Sequence, residues 1–220
     1  MKSSPRWLTD PHTLLVADAS TVININATGC GPMIVKALPN PVAIVSIIVE
    51  ELEEGRHRLR QDADLLNELR VAKLVEIVEL DDAGAIHFEQ LVIGPAEMTL
   101  DDGEAATIAY AVRKNGIPLI DERKATRICA QRFPELRIAS TVDIFTHPEV
   151  QAALGKDKLA DAVFNALCHG RMRVFAHHVE WVVELIGRER AGLCTSLPRR
   201  NRAAQHAVLK KSAATKGRTE

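Results

Sequence analysis

The sequence lacks several features that would assign it to a familiar class of protein. Its longest nearly apolar run, VAIVSIIV at 42–49, is far too short to span a membrane. The opening residues, MKSSPRWLTDPH, have no apolar stretch behind their charges, so we expect no secretory signal. No CxxC pair occurs among the four cysteines and no HExxH among the eight histidines, which argues against a zinc site. Reduced thiols and a cytoplasmic location are the simplest expectation.

Charge is nearly balanced overall but unevenly distributed. The formal net charge is −1, yet residues 198–220 hold seven Lys and Arg against one Glu, a net +6 that leaves −7 for the rest. We therefore expect an acidic body and a basic, mobile tail over 198–220.

Strand and helix patterns alternate along most of the chain, which predicts an α/β fold with a mostly parallel sheet covered on both faces. The pattern changes after Pro148, so we place a domain at 13–147 and a helical appendage at 148–197, with the boundary near 147–156. The predicted strands are 14–18, 42–45, 75–79, 118–121 and 137–140. The predicted helices are 21–27, 32–38, 47–55, 61–72, 83–93, 102–114, 124–132, 141–146, 156–170 and 177–187.

Acidic residues stand where this topology brings chain segments together. Asp18 and Asp121 each end a predicted strand, and Glu104 lies in the first turn of the helix that leads into the 118–121 strand. A helix that leads into a parallel strand ends at the N-terminal edge of that strand, so it begins near the carboxyl edge of the sheet. All three acids therefore fall at the carboxyl rim, where open α/β sheets bind ligands.

A fourth acid comes from the helix after the 42–45 strand, in VEELEEG at 49–55. Both Glu50 and Glu51 are one turn into that helix, and Glu51 flanks its apolar side, although the choice between them stays open. Clustered carboxylates repel one another unless a cation or protons intervene, and an all-oxygen set suits Mg²⁺ or Mn²⁺. Such a site fits metal-assisted attack of water on a phosphodiester.

Four motifs at these positions resemble the PIN-domain ribonucleases, in particular their VapC-toxin-like branch. They read DASTVIN at 18–24, VEELEEG at 49–55, GEAATIAYA at 103–111 and LIDERKATRICA at 119–130. Together they cover about residues 13–146, in the family's order and spacing.

The resemblance implies a three-layer α/β/α fold, carrying here a C-terminal helical extension, and Mg²⁺- or Mn²⁺-dependent endonucleolytic cleavage of RNA. It also implies a homodimer and, in a toxin, a cognate antitoxin. The metal ligands and catalytic acids carried over are Asp18, Glu51, Glu104 and Asp121. Ser20 matches the hydroxyl that supports the first Asp, and Asn24 is expected either to orient a ligand or to make a local backbone bond.

Three alternatives stay open. Asp143 is either a fifth acid of the site or, as we favour, an early helix residue near a positive dipole end. Arg123, Lys124 and Arg127 are either phosphate contacts or a solvated helix start. The chain is either a nuclease or a PIN-like RNA- or protein-binding module without catalysis. A phosphatase of the haloacid dehalogenase type is disfavoured, because Ser20 replaces its second Asp, and no P-loop occurs.

Overall fold

The apolar runs of the sequence form one parallel sheet. The computed structural model describes Leu8, residues 10–56 and residues 61–198. In these ranges the strands are β1 (Leu15–Ala17), β2 (Val42–Val45), β3 (Glu76–Val78) and β4 (Ile117–Leu119), in the order β3-β2-β1-β4. All pairs are parallel, with Leu15 opposite both Val42 and Ile117.

Helices connect and cover these strands. Those within the described ranges are α1 (Ala19–Ala27), α2 (Gly31–Ala37), α3 (Ser46–Arg56), α4 (Asp62–Val71), α5 (Asp82–Val92), α6 (Asp102–Lys114), α7 (Arg123–Arg132), α8 (Thr141–Phe145), α9 (Pro148–Cys168), α10 (Val179–Ile186) and α11 (Arg188–Leu193). None of them has the length and apolar character needed to cross a bilayer.

The sheet is buried on both faces, which explains why its strands read as continuous apolar runs. Along β1, Leu15 and Ala17 join one hydrophobic cluster and Val16 joins another, and β2 alternates in the same way. Helices α1, α2, α3, α4, α8, α9, α10 and α11 contribute to the first cluster, and α6 covers the second face. The predicted three-layer α/β/α arrangement is confirmed.

The helices after residue 147 share this core. Val150, Val163 and Val182 are fully buried in the same cluster as Leu15, and α9 packs against α1 and α2. The division of the chain into a domain at 13–147 and an appendage at 148–197 stays a prediction. The predicted tail at 198–220 lies, apart from Pro198, outside the described residues.

Three elements differ from the sequence-based expectation. The fifth strand, predicted at 137–140, is wrong as a strand, because only an isolated bridge joins Ala139 to Leu119. Helix α9 begins eight residues earlier than predicted, since His147 caps it and Pro148 occupies its first turn. It kinks at Gly155, where φ is 69°, and it ends at Cys168 with His169, not Gly170, at its C-cap. Helix α11 was not predicted.

Candidate active site

Asp18 lies directly after β1 and is the N-cap of α1. Its side chain is 3% exposed and caps the helix by accepting a hydrogen bond of 2.7 Å from the Thr21 N–H. The Ser20 hydroxyl donates to its second oxygen at 2.9 Å. Both oxygens are thus held in place by the first turn of the same helix, and Ser20 contributes a hydrogen bond to Asp18.

Asp121 lies two residues past β4 and is held from two sides. Its Oδ1 accepts from the Thr141 N–H at 2.9 Å, and its Oδ2 accepts from the Thr141 hydroxyl at 2.6 Å and from Asn24 Nδ2 at 2.8 Å. Asn24 therefore orients an acid of the rim and makes no local backbone bond through this amide. Its Oδ1 is buried and has no hydrogen-bond partner among the residues that the structure describes, and it lies against Gly170, where a Cβ would approach it to 2.6 Å.

Glu104 is in the first turn of α6, as expected. Asp101 is the N-cap of that helix and accepts a hydrogen bond of 2.9 Å from the Glu104 N–H. The cap fixes where α6 begins and so places the Glu104 side chain, which is partly buried, next to Asp18.

Glu51 is the member of the Glu50–Glu51 pair that lines the same cavity as Asp18 and Asp121. Glu50 lines a neighbouring surface depression instead. Gly103 provides the space for Glu51, because a Cβ at that position would come within 2.5 Å of Glu51 Oε2. The geometry thus favours Glu51 as the second acid.

The four predicted acids line one cavity of about 240 Å³ at the carboxyl rim of the sheet. Asp101 and Glu122 add two further carboxylates, and two arginines face them in the lining, Arg171 and Arg173. Sequence reasoning missed Glu122, although it follows Asp121 directly. It also missed Thr141 and both arginines, because their approach to the site depends on how α8 and α9 pack.

The electrostatics of the cavity reflect burial and crowding of like charges. Burial, reinforced by the charge of Asp121, raises the pKa of Asp18 to about 7, despite the hydrogen bonds from Thr21 and Ser20. Burial, reinforced by Asp101 and Asp18, raises the pKa of Glu104 to about 7 as well. Burial also raises the pKa of Asp121, against the opposing hydrogen bonds from Thr141 and Asn24.

The donor set fits a divalent cation in its chemistry. The raised pKa values of Asp18 and Glu104 reflect burial and repulsion between like charges, which a bound cation would relieve, and the oxygens present are those that Mg²⁺ and Mn²⁺ prefer. Within the described residues, however, no three His, Cys, Asp or Glu side chains are close enough as they stand to hold one ion. Binding by all four acids would therefore require movement of the more exposed ones, Glu51 and Glu104.

The remaining candidates lie around this cavity. Arg123, Lys124 and Arg127 are exposed and are not part of its lining, and Arg127 donates to the Glu97 carbonyl at 3.0 Å. Lys124 is close enough to oppose the raised pKa of Glu104. A phosphate-binding role for these three stays a prediction.

Asp143 belongs to the start of α8 and not to the cavity lining. It forms a capping box with Ser140, and its Oδ1 is 3.2 Å from His178 Nε2. Burial would raise the pKa of Asp143, but the contacts from His178 and Ser140 outweigh it and leave the pKa lowered. The interpretation of Asp143 as an early helix residue is confirmed.

Comparison with known families agrees with this geometry. A family model described as a PIN domain (DUF3368) matches residues 14–188. The chain belongs to the PIN-domain family. The match continues 42 residues past 146, where the quoted motifs end, and takes in α9 and α10. No curated protein matches the chain. Membership of the PIN-domain family indicates a nuclease-type function in general, and such domains generally use divalent metals.

The position of Glu51 in this PIN domain can be tested through Gly103. In the Gly103→Ala protein the new Cβ would displace the Glu51 carboxylate, the end of a flexible side chain, and press lightly on Ile48. Alanine is the better helix former by roughly 0.5–1 kcal/mol, so the melting temperature should stay close to that of the parent. The Mg²⁺-induced rise in melting temperature should shrink, as measured by thermal melts with and without the metal.

Gly84→Ala is the matched control. Gly84 also lies in the first turn of a helix, α5, and a Cβ there would meet the Leu80 side chain instead of an acid of the site. Its Mg²⁺-induced shift should equal that of the parent. A full shift in Gly103→Ala would mean that Glu51 does not contribute to metal binding.

Proposed function

We propose that this PIN domain is a divalent-metal-dependent endoribonuclease that hydrolyses RNA phosphodiester bonds. The observation that carries the proposal is the cavity at the carboxyl rim, which gathers Asp18, Glu51, Glu104 and Asp121 from four separate segments of the chain. Carboxylates crowded around one cavity repel one another, so their convergence indicates a cationic ligand that they share.

The side chains divide into ligands and supports. Asp18, Glu51, Glu104 and Asp121 would hold Mg²⁺ or Mn²⁺, which when bound supplies a Lewis acid for phosphate charge and lowers the pKa of water. Ser20 and the Thr21 N–H fix the oxygens of Asp18. Thr141 and Asn24 fix those of Asp121. These supports would hold the ligands in position through hydrogen bonds to their carboxylates.

The test is cleavage of labelled single-stranded and hairpin RNA by the purified full chain. We expect cleavage with Mg²⁺ or Mn²⁺, and none after addition of a chelator. The Asp18→Asn protein, purified in the same way, controls for contaminating ribonucleases, and a chromogenic phosphomonoester should stay intact. If the parent binds RNA but does not cut it with either metal, the chain is a PIN-like binding module and the proposed activity is wrong.

The toxin role, the cognate antitoxin and the homodimer rest on the resemblance of the motifs alone. A growth defect on expression, relieved by a small protein encoded next to this one, would support the first two. Analytical ultracentrifugation of the purified chain tests the dimer. A cytoplasmic location stays a prediction from the sequence.

A further inference from the structure

The segment that follows α9 runs along the edge of the cavity and alternates in burial. Met172 and Val174 are 1% and 6% exposed and pack in the main core, whereas Arg171 and Arg173 are exposed. Both arginines line the acidic cavity. Residues 170–174, which we call the arginine segment, are thus anchored by their apolar members and present their charged members to the site.

The arginine segment is fixed in place at its start. Gly170 lies so close to α1 that a Cβ would come within 2.6 Å of Asn24 Oδ1 and 2.8 Å of the Ala166 carbonyl oxygen. The Met172 N–H then donates to the same carbonyl at 3.0 Å. Because Asn24 also holds Asp121, the segment is tied to the acid cluster through a single side chain.

Arg171 adopts a backbone conformation that its residue type disfavours. Its φ is 57°, a left-handed value found mostly at glycine and asparagine after helices. Ending α9 requires no arginine here, since glycine would take this conformation at lower cost. What an arginine adds at this position is its side chain in the cavity.

The charge balance of the cavity shows what these arginines are needed for. Its described lining contains six carboxylates, which would repel a polyanion even after a divalent cation is bound. Arg173 forms an ion pair with Glu122 in the lining, and its charge opposes the raised pKa of Glu104. Guanidinium groups bind phosphate oxygens with two parallel hydrogen bonds, and few other side chains do so as well.

We propose that Arg171 and Arg173 are the phosphate-binding residues of this site and hold the RNA backbone against the acid cluster. The inference rests on the proposed function for its substrate class. It adds that residues which bind the substrate backbone come from the chain after α9. When RNA binds, Arg173 would exchange its partner Glu122 for a phosphate.

The experiment measures binding without cleavage. Fluorescence anisotropy with a labelled single-stranded RNA, in chelator and over a series of salt concentrations, compares the parent with Arg171→Gln, Arg173→Gln and the double variant. Each lost phosphate contact should lower the slope of log K against log salt by about 0.7. The double variant should therefore lose about 1.4 in slope and bind at least about tenfold more weakly at low salt.

Arg113→Gln is the matched control. Arg113 also forms a surface ion pair, with Asp81 at 3.0 Å, but it lies outside the cavity. Its salt slope should equal that of the parent. The Glu122→Gln protein should bind RNA more tightly than the parent, because Arg173 is released and one negative charge is lost, and this gain should be smaller when Arg173→Gln is already present, since only the loss of the negative charge then remains.

The outcomes separate this inference from the proposed function. A parent that binds RNA with an arginine-dependent slope but does not cut it would refute the nuclease and leave the arginine segment as the binding element. A parent that cuts RNA, with a double variant of unchanged slope, would refute the arginine segment alone. A parent that neither binds RNA in chelator nor cuts it with Mg²⁺ or Mn²⁺ would refute both. Unchanged melting temperatures in the arginine variants would show that a loss of binding is not a loss of fold.

Discussion

The Asp18→Asn protein should lose RNA cleavage by at least about 100-fold and yet, in chelator at pH 8, melt at a higher temperature than the parent. The loss of activity follows from removing one carboxylate of a site whose metal supplies several kcal/mol of transition-state stabilisation. The gain in stability follows from the environment of Asp18, where burial and the charge of Asp121 raise the pKa to about 7. An ionised Asp18 therefore destabilises the metal-free fold.

Asparagine should fit this position without new cost. It is as good an N-cap as aspartate, so the 2.7 Å hydrogen bond from the Thr21 N–H can persist. The Ser20 hydroxyl, which donates at 2.9 Å in the parent, can instead accept a hydrogen bond from the new amide. Asp121→Asn is a poorer probe, because Thr141 and Asn24 already donate to both of its oxygens and an amide there would face donors.

The size of the effect can be estimated from the pKa. The difference between about 7 and the ordinary value of 3.8 corresponds to on the order of 4 kcal/mol for this 3% exposed carboxyl. Even a quarter of that would raise the melting temperature by about 2–4 °C in a domain of this size. Mg²⁺ at about 100 times its dissociation constant should stabilise the parent by about 2.7 kcal/mol and the variant by much less, which would reverse the order for any advantage of the variant smaller than that.

Asp81→Asn is the control for these melts. Asp81 also caps a helix, accepting from the Gly84 N–H at 2.8 Å, but it lies on the surface beside Arg113 and Lys114. The hydrogen bond from the Gly84 N–H lowers the pKa of Asp81, burial opposes this, and the charges of Arg113 and Lys114 lower the pKa further. The substitution should leave the melting temperature unchanged or lower it. The shift of the melting temperature on addition of Mg²⁺ should equal that of the parent. If Asp18→Asn behaves in the same way, Asp18 is only a helix cap.

The acid cluster could be predicted because it depends on rules that are local in sequence. Asp18 and Asp101 are N-caps, so each fixes the first turn of a helix, and parallel topology then brings those turns to one rim. The apolar runs of β1 and β2 identified strands covered on both faces. Each of these features can be recognised from a few neighbouring residues together with one topological rule.

The parts that were missed depend on packing between distant segments. Residues 137–140 have a strand-like composition, but they pair with the sheet only through the Ala139–Leu119 bridge. How many residues pair is not determined by the local sequence pattern. The predicted boundary near 147–156 includes Gly155, where the structure has a kink with helix on both sides. Arg171 and Arg173 showed an alternating pattern with Met172, but only the contact of Gly170 with Asn24 brings them to the cavity.

The pH dependence of stability should change sign when metal is added. In chelator, the parent should lose stability as the pH rises from about 4.5 to 7 and level off above that. Over this window the unfolded chain has already released the protons that Asp18 and Glu104 retain in the fold, where their pKa values are about 7. Fewer protons on the unfolded state mean that the free energy of unfolding falls with pH, by up to about 1.4 kcal/mol per pH unit for each fully retained proton.

One group works in the opposite direction within the same window. Burial lowers the pKa of His147, so its contribution to stability rises with pH up to its ordinary value of 6.5. The lowered pKa values of Asp81 and Asp143 affect stability only at pH values below the ordinary pKa of 3.8, which is outside this pH range. Subtracting the melting curve of Asp18→Asn from that of the parent removes all three contributions, because the variant keeps them.

The difference between parent and variant should therefore grow more negative from pH 4.5 to 7 in chelator. In saturating Mg²⁺ it should turn positive near neutral pH, because the cation binds the ionised carboxylates and competes with their protons. Thermal melts of both proteins at half-unit steps from pH 4.5 to 8.5, with chelator and with Mg²⁺, measure this directly. A difference that is flat with pH, or equal in the two conditions, would mean that Asp18 titrates as an ordinary surface acid and that no cation is shared at the rim. If the melting temperatures of parent and variant, plotted against pH in Mg²⁺, cross near pH 7, the buried charge of Asp18 contributes to metal binding in the folded protein.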